Sequence, residues 1–143
     1  MEPRLAGDLS TSQILVFESP LISVWAYPER KMIHHQMKGY CAGKDLQDAL
    51  IKGVEAMELH HATKWLSDDR QNGALPPDGA AWAANVWFPR TKAAGWKHWA
   101  VVQPVKILGQ LNMERFVKRY AELGIDARMF SDPDEAMTWL DGA

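Results

Sequence analysis

The spacing between apolar side chains first follows a strand pattern and later includes a helical one, and this change restricts the folds that the chain can adopt. In residues 14–17, 21–27 and 32–37, short apolar and β-branched runs stand between proline-containing turn signals at residues 19–20 and 28–30. Runs of this kind, bounded by turns, are typical of short β-strands. We therefore predict three strands at the start of the chain, joined as an antiparallel meander.

From Lys44 onward the apolar residues recur every three or four positions, which is the spacing of one face of an α-helix. The predicted helix ends at His60-His61, where a cationic side chain suits the negative end of the helix dipole. Its apolar stripe consists of Leu46, Ala49, Leu50, Gly53, Val54 and Met57.

Strand and helix patterns then alternate to the end of the chain. Strand patterns cover residues 63–66, 98–102 and 125–130. Helical patterns follow each of them, and Pro89 is expected to kink or restart the first of these helices. Because strands separated by a helix run parallel, we predict an α/β fold with a mixed sheet and helices packed on it, in the order β-β-β-α-β-α-β-α-β-α.

Length and composition place this fold in one domain. The chain has 143 residues, of which 47% are hydrophobic, and this suits a single core. We expect a short flexible N-terminal arm over residues 1–12 and a single domain over residues 13–143. There is neither a secretory signal pattern nor an apolar stretch long enough to span a bilayer, so a cytoplasmic protein without an integral membrane segment is expected.

Charge and metal-ligand spacing exclude several classes of function. The formal net charge is -2, which disfavours a nucleic-acid binder. The adjacent histidines His34-His35 and His60-His61 diverge on a strand or a helix, so we expect no metal site and no cofactor. Cys41 is the only cysteine and is expected to be a buried, inert thiol rather than a nucleophile.

The candidate polar site consists of Asp68, Asp69 and Arg70, which follow a predicted strand at its carboxyl end. Ligands of open α/β sheets collect at this edge, and paired carboxylates can do acid–base chemistry there. The alternative is a loop held by an internal Asp–Arg pair, and this is the simpler interpretation.

The chain also has seven tryptophans, which is many for its length. Trp87 and Phe88 are adjacent, so we expect that a single helix turn cannot bury both and that some aromatic area lies at the surface or lines a groove. Arg90 adds positive charge beside it, with Lys92, Lys97 and His98. The candidate ligand- or partner-binding residues are therefore Asp68, Asp69, Arg70, Trp87, Phe88, Arg90, Trp96 and Trp99.

Several short motifs resemble the SpoIIAA-like branch of the STAS fold, the domain of sulphate transporters and anti-sigma-factor antagonists. They lie at residues 64–70, 87–90, 94–95, 99–102 and 130–131, with Trp139-Leu140 in the last helix. The resemblance covers the chain from about Ile14. It implies a small mixed sheet with helices, and a protein-interaction or regulatory module of bacterial type, usually without chemistry. Relatives of this fold have also been compared with lipid carriers.

The resemblance does not extend to the phosphorylated serine of the anti-sigma-factor antagonists. The matching residues 75–80 contain neither serine nor threonine, and Asp78 stands at the helix start. No phosphorylation site is therefore expected. Asp78 either provides a fixed negative charge or caps the helix.

Three functional hypotheses follow. The first is a non-enzymatic module that docks a protein partner, or a second copy of itself, through the aromatic surface around Trp87 and Trp99. The second is a carrier of a small apolar or lipid-like ligand, held between a helix and the sheet by adaptable methionine and aromatic side chains. The third is an enzyme that uses Asp68, Asp69 and Arg70.

Overall fold

The structure is a computed structural model that describes residues 12–143. It contains one six-stranded mixed sheet in which each strand pairs with its neighbours in the sequence. The first three strands are antiparallel, and the third to the sixth are parallel. The strands are β1 (Ile14–Glu18), β2 (Ile22–Tyr27), β3 (Met32–Met37), β4 (Lys64–Asp68), β5 (His98–Val102) and β6 (Asp126–Phe130).

Helical segments connect the parallel strands and follow the last one. The connection between β4 and β5 consists of two short α-helices with a π-helical turn between them, where the sequence predicts one helix with a kink or restart at Pro89. The helices are α1 (Gly43–His60), α2 (Pro77–Trp82), the π-helical turn (Ala83–Trp87), α3 (Phe88–Ala93), α4 (Ile107–Glu122) and α5 (Pro133–Asp141). The predicted α/β class and order of elements are therefore correct.

Pro89 lies in the first turn of α3, immediately after the π-helical turn. Proline cannot donate a backbone hydrogen bond, and its ring crowds the preceding turn. The wider turn before Pro89 is one of the ways in which a helix absorbs such a disturbance. The sequence predicted a kink or restart here, and the structure has a π-helical turn followed by a new α-helical segment that begins at Phe88.

The two faces of the sheet carry different cores. The front face bears the larger core, against which α1, the 77–93 segment and α4 pack. The back face bears a smaller core that α5 covers, across β4, β5 and β6. Alternate strand residues serve the two cores: Ile33, Trp65 and Val101 point to the front, and Leu66 and Ala100 to the back.

Helix α1 approaches the sheet most closely at Gly53. A Cβ atom there would lie 2.3 Å from Cη2 of Trp65, well inside van der Waals contact. The helix therefore rests directly on the Trp65 indole, and only glycine fits at this position.

The start of α5 is capped by a side chain. Asp132 accepts a hydrogen bond from the backbone N–H of Asp134 at 2.9 Å, and Pro133 occupies the first turn. The buried residues Ala136 and Leu140 then face the sheet. The expected N-terminal arm lies outside the described residues, apart from Ser12. Among residues 12–143, no helix combines the length and hydropathy that crossing a membrane requires.

Candidate functional site

A cavity of about 80 Å³ lies between the front face of the sheet and the helices. Its sheet side is formed by side chains of β3, β4 and β5. Asp69, which also lines it, follows the carboxyl end of β4, the edge where ligands collect in parallel sheets. Most of its wall is apolar and includes five aromatic rings and two flexible methionines. These residues are Trp65, Trp87, Trp99, Phe116 and Tyr120, with Met37 and Met113.

His35 lies in the cavity wall and is held by hydrogen bonds at both ring nitrogens. Trp65 Nε1 donates to His35 Nδ1 at 3.0 Å, so Nδ1 accepts and carries no proton. The proton of the neutral ring is then on Nε2, which donates to Asp69 Oδ1 at 2.9 Å. The hydrogen-bond network thus assigns a single tautomer to His35.

This arrangement limits what His35 can do chemically. A histidine base in a nucleophilic triad must present an unprotonated nitrogen to the nucleophile. The only unprotonated nitrogen of His35 accepts from the Trp65 indole, although Ser67 lies beside it on β4. His35 therefore orients Asp69 rather than activating Ser67.

Asp69 is the charged group of the cavity and is only 4% exposed. Its backbone N–H donates to the carbonyl of Val102 at 3.0 Å, which fixes the residue just beyond the end of β4. Its Oδ1 atom accepts from His35, whereas Oδ2 accepts no hydrogen bond from residues 12–143. Oδ2 therefore keeps an open acceptor position in the cavity wall, and this position favours a ligand that donates a hydrogen bond.

Ser67 and Tyr120 supply two further polar groups. Ser67 Oγ accepts from Trp99 Nε1 at 2.8 Å, and its hydroxyl hydrogen has no acceptor within the described part of the chain. Tyr120 is 3% exposed, and its hydroxyl has no partner there either. Burial raises the pKa of Tyr120 to about 12, so its hydroxyl is neutral at physiological pH.

Two asparagine side chains tie down the loop between β4 and α2. Asn72 Oδ1 accepts from the Cys41 backbone N–H at 3.1 Å, and Asn112 Oδ1 accepts from the Leu75 backbone N–H at 3.0 Å. Both asparagines also line the cavity. Because their oxygens are occupied, the groups they offer to a ligand are amide N–H donors.

The π-helical turn contributes Ala83 and Trp87 to the cavity wall. Trp87 Nε1 donates to the Leu50 carbonyl at 3.0 Å, which joins this turn to α1. π-Helical turns are rare and occur frequently at functional sites. Here the turn brings an indole against the edge of Trp65, with ring centroids 5.1 Å apart.

Of the predicted polar trio, the structure places only Asp69 in the cavity. Asp68 faces the back of the sheet and pairs with Arg70 through two hydrogen bonds of 2.9 and 2.8 Å. Burial alone would raise the pKa of Asp68, but the hydrogen bonds from Arg70 outweigh it and lower the pKa. The Asp68–Arg70 pair is therefore the internal loop pair that the simpler interpretation expected.

The four aromatic side chains that were expected to contribute to an exposed surface or a groove are buried. Trp87, Phe88, Trp96 and Trp99 are all at most 7% exposed. The 77–93 segment lies on the sheet between two helices, so adjacent side chains find different partners: Trp87 reaches α1, and Phe88 stacks on Tyr120 of α4 at 4.6 Å. Trp87 and Trp99 do line the cavity, as the alternative of an aromatic groove required.

Arg90, which was expected to add positive charge beside the aromatic residues, is paired with a glutamate. Arg90 is exposed and holds Glu58 of α1 through two hydrogen bonds of 3.0 and 2.9 Å. Asp78 is exposed in the first turn of α2. Neither residue lines the cavity.

Sequence reasoning missed the role of His35. It weighed His34 and His35 as metal ligands and as possible partners of Cys41, and it assigned the two histidines to opposite faces, which is correct. The available signal was the alternation of β3, because His35 falls on the same face as Ile33 and Met37. A polar residue on an apolar face needs a buried partner, and Asp69 is that partner.

The other candidate groups do not form a site. Cys41 is fully buried, as predicted, and burial followed by the nearby Asp45 raises the pKa of its thiol to about 11. Among residues 12–143, no three histidine, cysteine or acidic side chains meet in a cluster that could hold a metal ion.

Comparison with protein-family models, with curated proteins and with solved structures returned no match to this chain.

Proposed function

We propose that this protein binds a small, largely apolar organic molecule in the front-face cavity and that the ligand donates one hydrogen bond to Asp69. The observation that carries the proposal is Asp69, a carboxylate that is only 4% exposed and whose Oδ2 atom accepts no hydrogen bond from residues 12–143, in a cavity walled by aromatic rings. Apolar walls provide affinity, and a few convergent polar groups provide orientation.

The size of the cavity favours a ligand with a single ring or a short chain. Its volume of about 80 Å³ is smaller than the ~150 Å³ cavity that accepts benzene in a protein core. Met37 and Met113 lie in the wall, and unbranched methionine side chains adapt readily to a bound molecule. Entry of a ring therefore requires these side chains to move aside.

This proposal develops the carrier hypothesis of the sequence analysis. The docking hypothesis loses its support because Trp87, Phe88, Trp96 and Trp99 are buried. The enzyme hypothesis required Asp68 and Arg70 to act with Asp69, and these two residues instead bind each other. A STAS-like origin remains a proposal, supported by the order of strands and helices.

Phenol and fluorobenzene form the test pair, because they are similar in size and only phenol donates a hydrogen bond. Binding is followed by the NMR signals of the indole N–H groups, of which Trp65 and Trp99 lie in the cavity wall. Phenol is expected to bind at least about tenfold more tightly, since a hydrogen bond to a charged group contributes about 1.5–3 kcal/mol.

Asp69→Asn provides the decisive variant. His35 Nε2–H needs an acceptor, so the new side chain must keep its oxygen toward His35 and turn its NH₂ group to the cavity. The preference should then reverse, with benzaldehyde, a hydrogen-bond acceptor, binding better than phenol. Asp134→Asn, at an exposed position in α5, serves as the control. Equal affinities for phenol and fluorobenzene, in both the parent protein and Asp69→Asn, would refute the proposal.

A further inference from the structure

A second, larger space opens directly outside the cavity. It has a volume of about 500 Å³ and lies between the 77–93 segment and α4. Four of its wall residues also line the cavity: Leu75, Asn112, Phe116 and Tyr120. We call this space the outer groove, and the shared walls make it the continuation of the cavity toward solvent.

Arg115 and Arg119 provide the charge of the outer groove. They are four residues apart on α4 and therefore lie on the same side of the helix, one turn from each other. Both are exposed, and neither forms an ion pair with any residue in the range 12–143. No aspartate or glutamate is among the described residues that line the groove.

Three other arginine side chains show how carboxylates are held in this protein. Arg30 binds Asp141, Arg70 binds Asp68 and Arg90 binds Glu58, each through a pair of hydrogen bonds. A guanidinium presents two parallel N–H groups that match a carboxylate or phosphate. The two arginines of the outer groove have this capacity without an internal partner.

Polar groups line the path between the two spaces. Asn112 and Tyr120 lie in the wall of both spaces. Tyr120 is 3% exposed, and its hydroxyl makes no hydrogen bond to another described residue. The opposite wall is formed by the small side chains of Ala80, Ala81 and Ala84. A narrow molecule can therefore extend along α4 from the Asp69 end to the arginines.

We infer that the ligand is an elongated organic anion. Its carboxylate lies against Arg115 and Arg119, its apolar body passes Phe116 and Tyr120, and its far end donates a hydrogen bond to Asp69. This inference rests on the proposed function and adds the charge and length of the ligand. The class of compound is a hydroxyaryl or hydroxyalkyl carboxylate of a size similar to hydroxyphenylpropanoate.

The test compares 3-(4-hydroxyphenyl)propanoate with its neutral amide by calorimetry, with the indole N–H signals reporting the position of the ring. The parent protein should bind the acid at least about tenfold more tightly than the amide. In Arg115→Gln/Arg119→Gln this ratio should fall to about twofold or less. Lys118→Gln removes a charge from the same helix at an exposed position outside the groove, and should leave the ratio unchanged.

The outcomes separate this inference from the proposed function. If phenol and the amide bind in the cavity but the acid has no advantage in the parent protein, the anion inference is wrong and the cavity proposal stands. If the advantage persists in the double variant, the arginines are not its source, and the inference is equally overturned. If phenol, the amide and the acid all leave the Trp65 and Trp99 signals unchanged, both proposals fail.

Discussion

The indole N–H of Trp65 donates to Nδ1 of His35 at 3.0 Å, and this bond connects two neighbouring parallel strands inside the front-face core. The bond assigns the His35 proton to Nε2 and so directs it at Asp69. A core tryptophan thereby determines which oxygen of Asp69 is occupied and which is left for a ligand.

Replacing Trp65 with phenylalanine should destabilise the protein by more than the lost volume alone. The variant leaves Nδ1 of a buried histidine without a donor, and an unsatisfied buried group costs about 1–3 kcal/mol. Urea unfolding measures the change. Trp139→Phe is the control, because the Trp139 indole nitrogen makes no hydrogen bond to any residue from 12 to 143, and its effect should be clearly smaller. Equal losses in the two variants would show that the Trp65–His35 bond has no net value.

Gly53→Ala should be destabilising, although alanine is favoured over glycine by about 1 kcal/mol in a helix interior. The added Cβ would lie 2.3 Å from Cη2 of Trp65, an indole that cannot withdraw without breaking its bond to His35. Overpacking of this kind costs about 1–3 kcal/mol. Chemical denaturation of this variant beside Lys52→Ala, an exposed change on the same helix, provides the measurement. A stabilised Gly53→Ala would mean that α1 does not rest on the indole.

His34 should make the protein less stable in mild acid. Burial, followed by the neighbouring His35, lowers the pKa of His34 to about 4 from an ordinary value of 6.5. Between these two pH values, His34 is protonated in the unfolded chain but neutral in the folded protein. The free energy of unfolding therefore falls as the pH falls through this window. From pH 7 to pH 5 the loss due to this group is about 2 kcal/mol.

The variant His34→Gln isolates this contribution. Unfolding free energies at pH 7 and pH 5 should differ by about 2 kcal/mol more in the parent protein than in the variant. The carboxylates titrate alike in both proteins, and their contribution cancels from the comparison. Identical pH dependence in the two proteins would contradict the burial of the imidazole.

The thiol of Cys41 should be unreactive in the folded protein. It is fully buried, and its pKa of about 11 leaves very little thiolate at pH 8. Labelling by an aromatic disulfide reagent should be on the order of 1,000-fold slower in native buffer than in urea. Rapid stoichiometric labelling of the native protein would show that the chain around Cys41, which is hydrogen-bonded to Asn72, opens freely.

The order of strands and helices was predictable because it depends on local spacing. The short, turn-bounded apolar runs of β2 and β3 and the three-to-four spacing of α1 are patterns within a single element. The Asp132 cap was predictable for the same reason, since the cap and its N–H partner are two residues apart. Asp69 was found because the carboxyl end of a parallel strand is a general ligand position.

The parts that could not be predicted depend on neighbours that are remote in the sequence. Trp87 and Phe88 are both buried because the helical segment that carries them has a helix on each side. The spacing of apolar residues along the chain does not reveal which helices these are. The His35–Asp69 contact spans 34 positions. Asp68 and Asp69 have different surroundings because β4 ends between them. The strand pattern in the sequence placed that end two residues too early.

A crystal soaked with phenol tests the central claim most directly, because it shows both where the ligand lies and which atom it contacts. We expect one phenol ring among Trp65, Trp99 and Phe116, with its hydroxyl oxygen about 2.5–3.0 Å from Oδ2 of Asp69. The claim would be contradicted if phenol bound elsewhere while the cavity stayed empty. It would also be contradicted if phenol lay in the cavity with its hydroxyl turned away from Asp69.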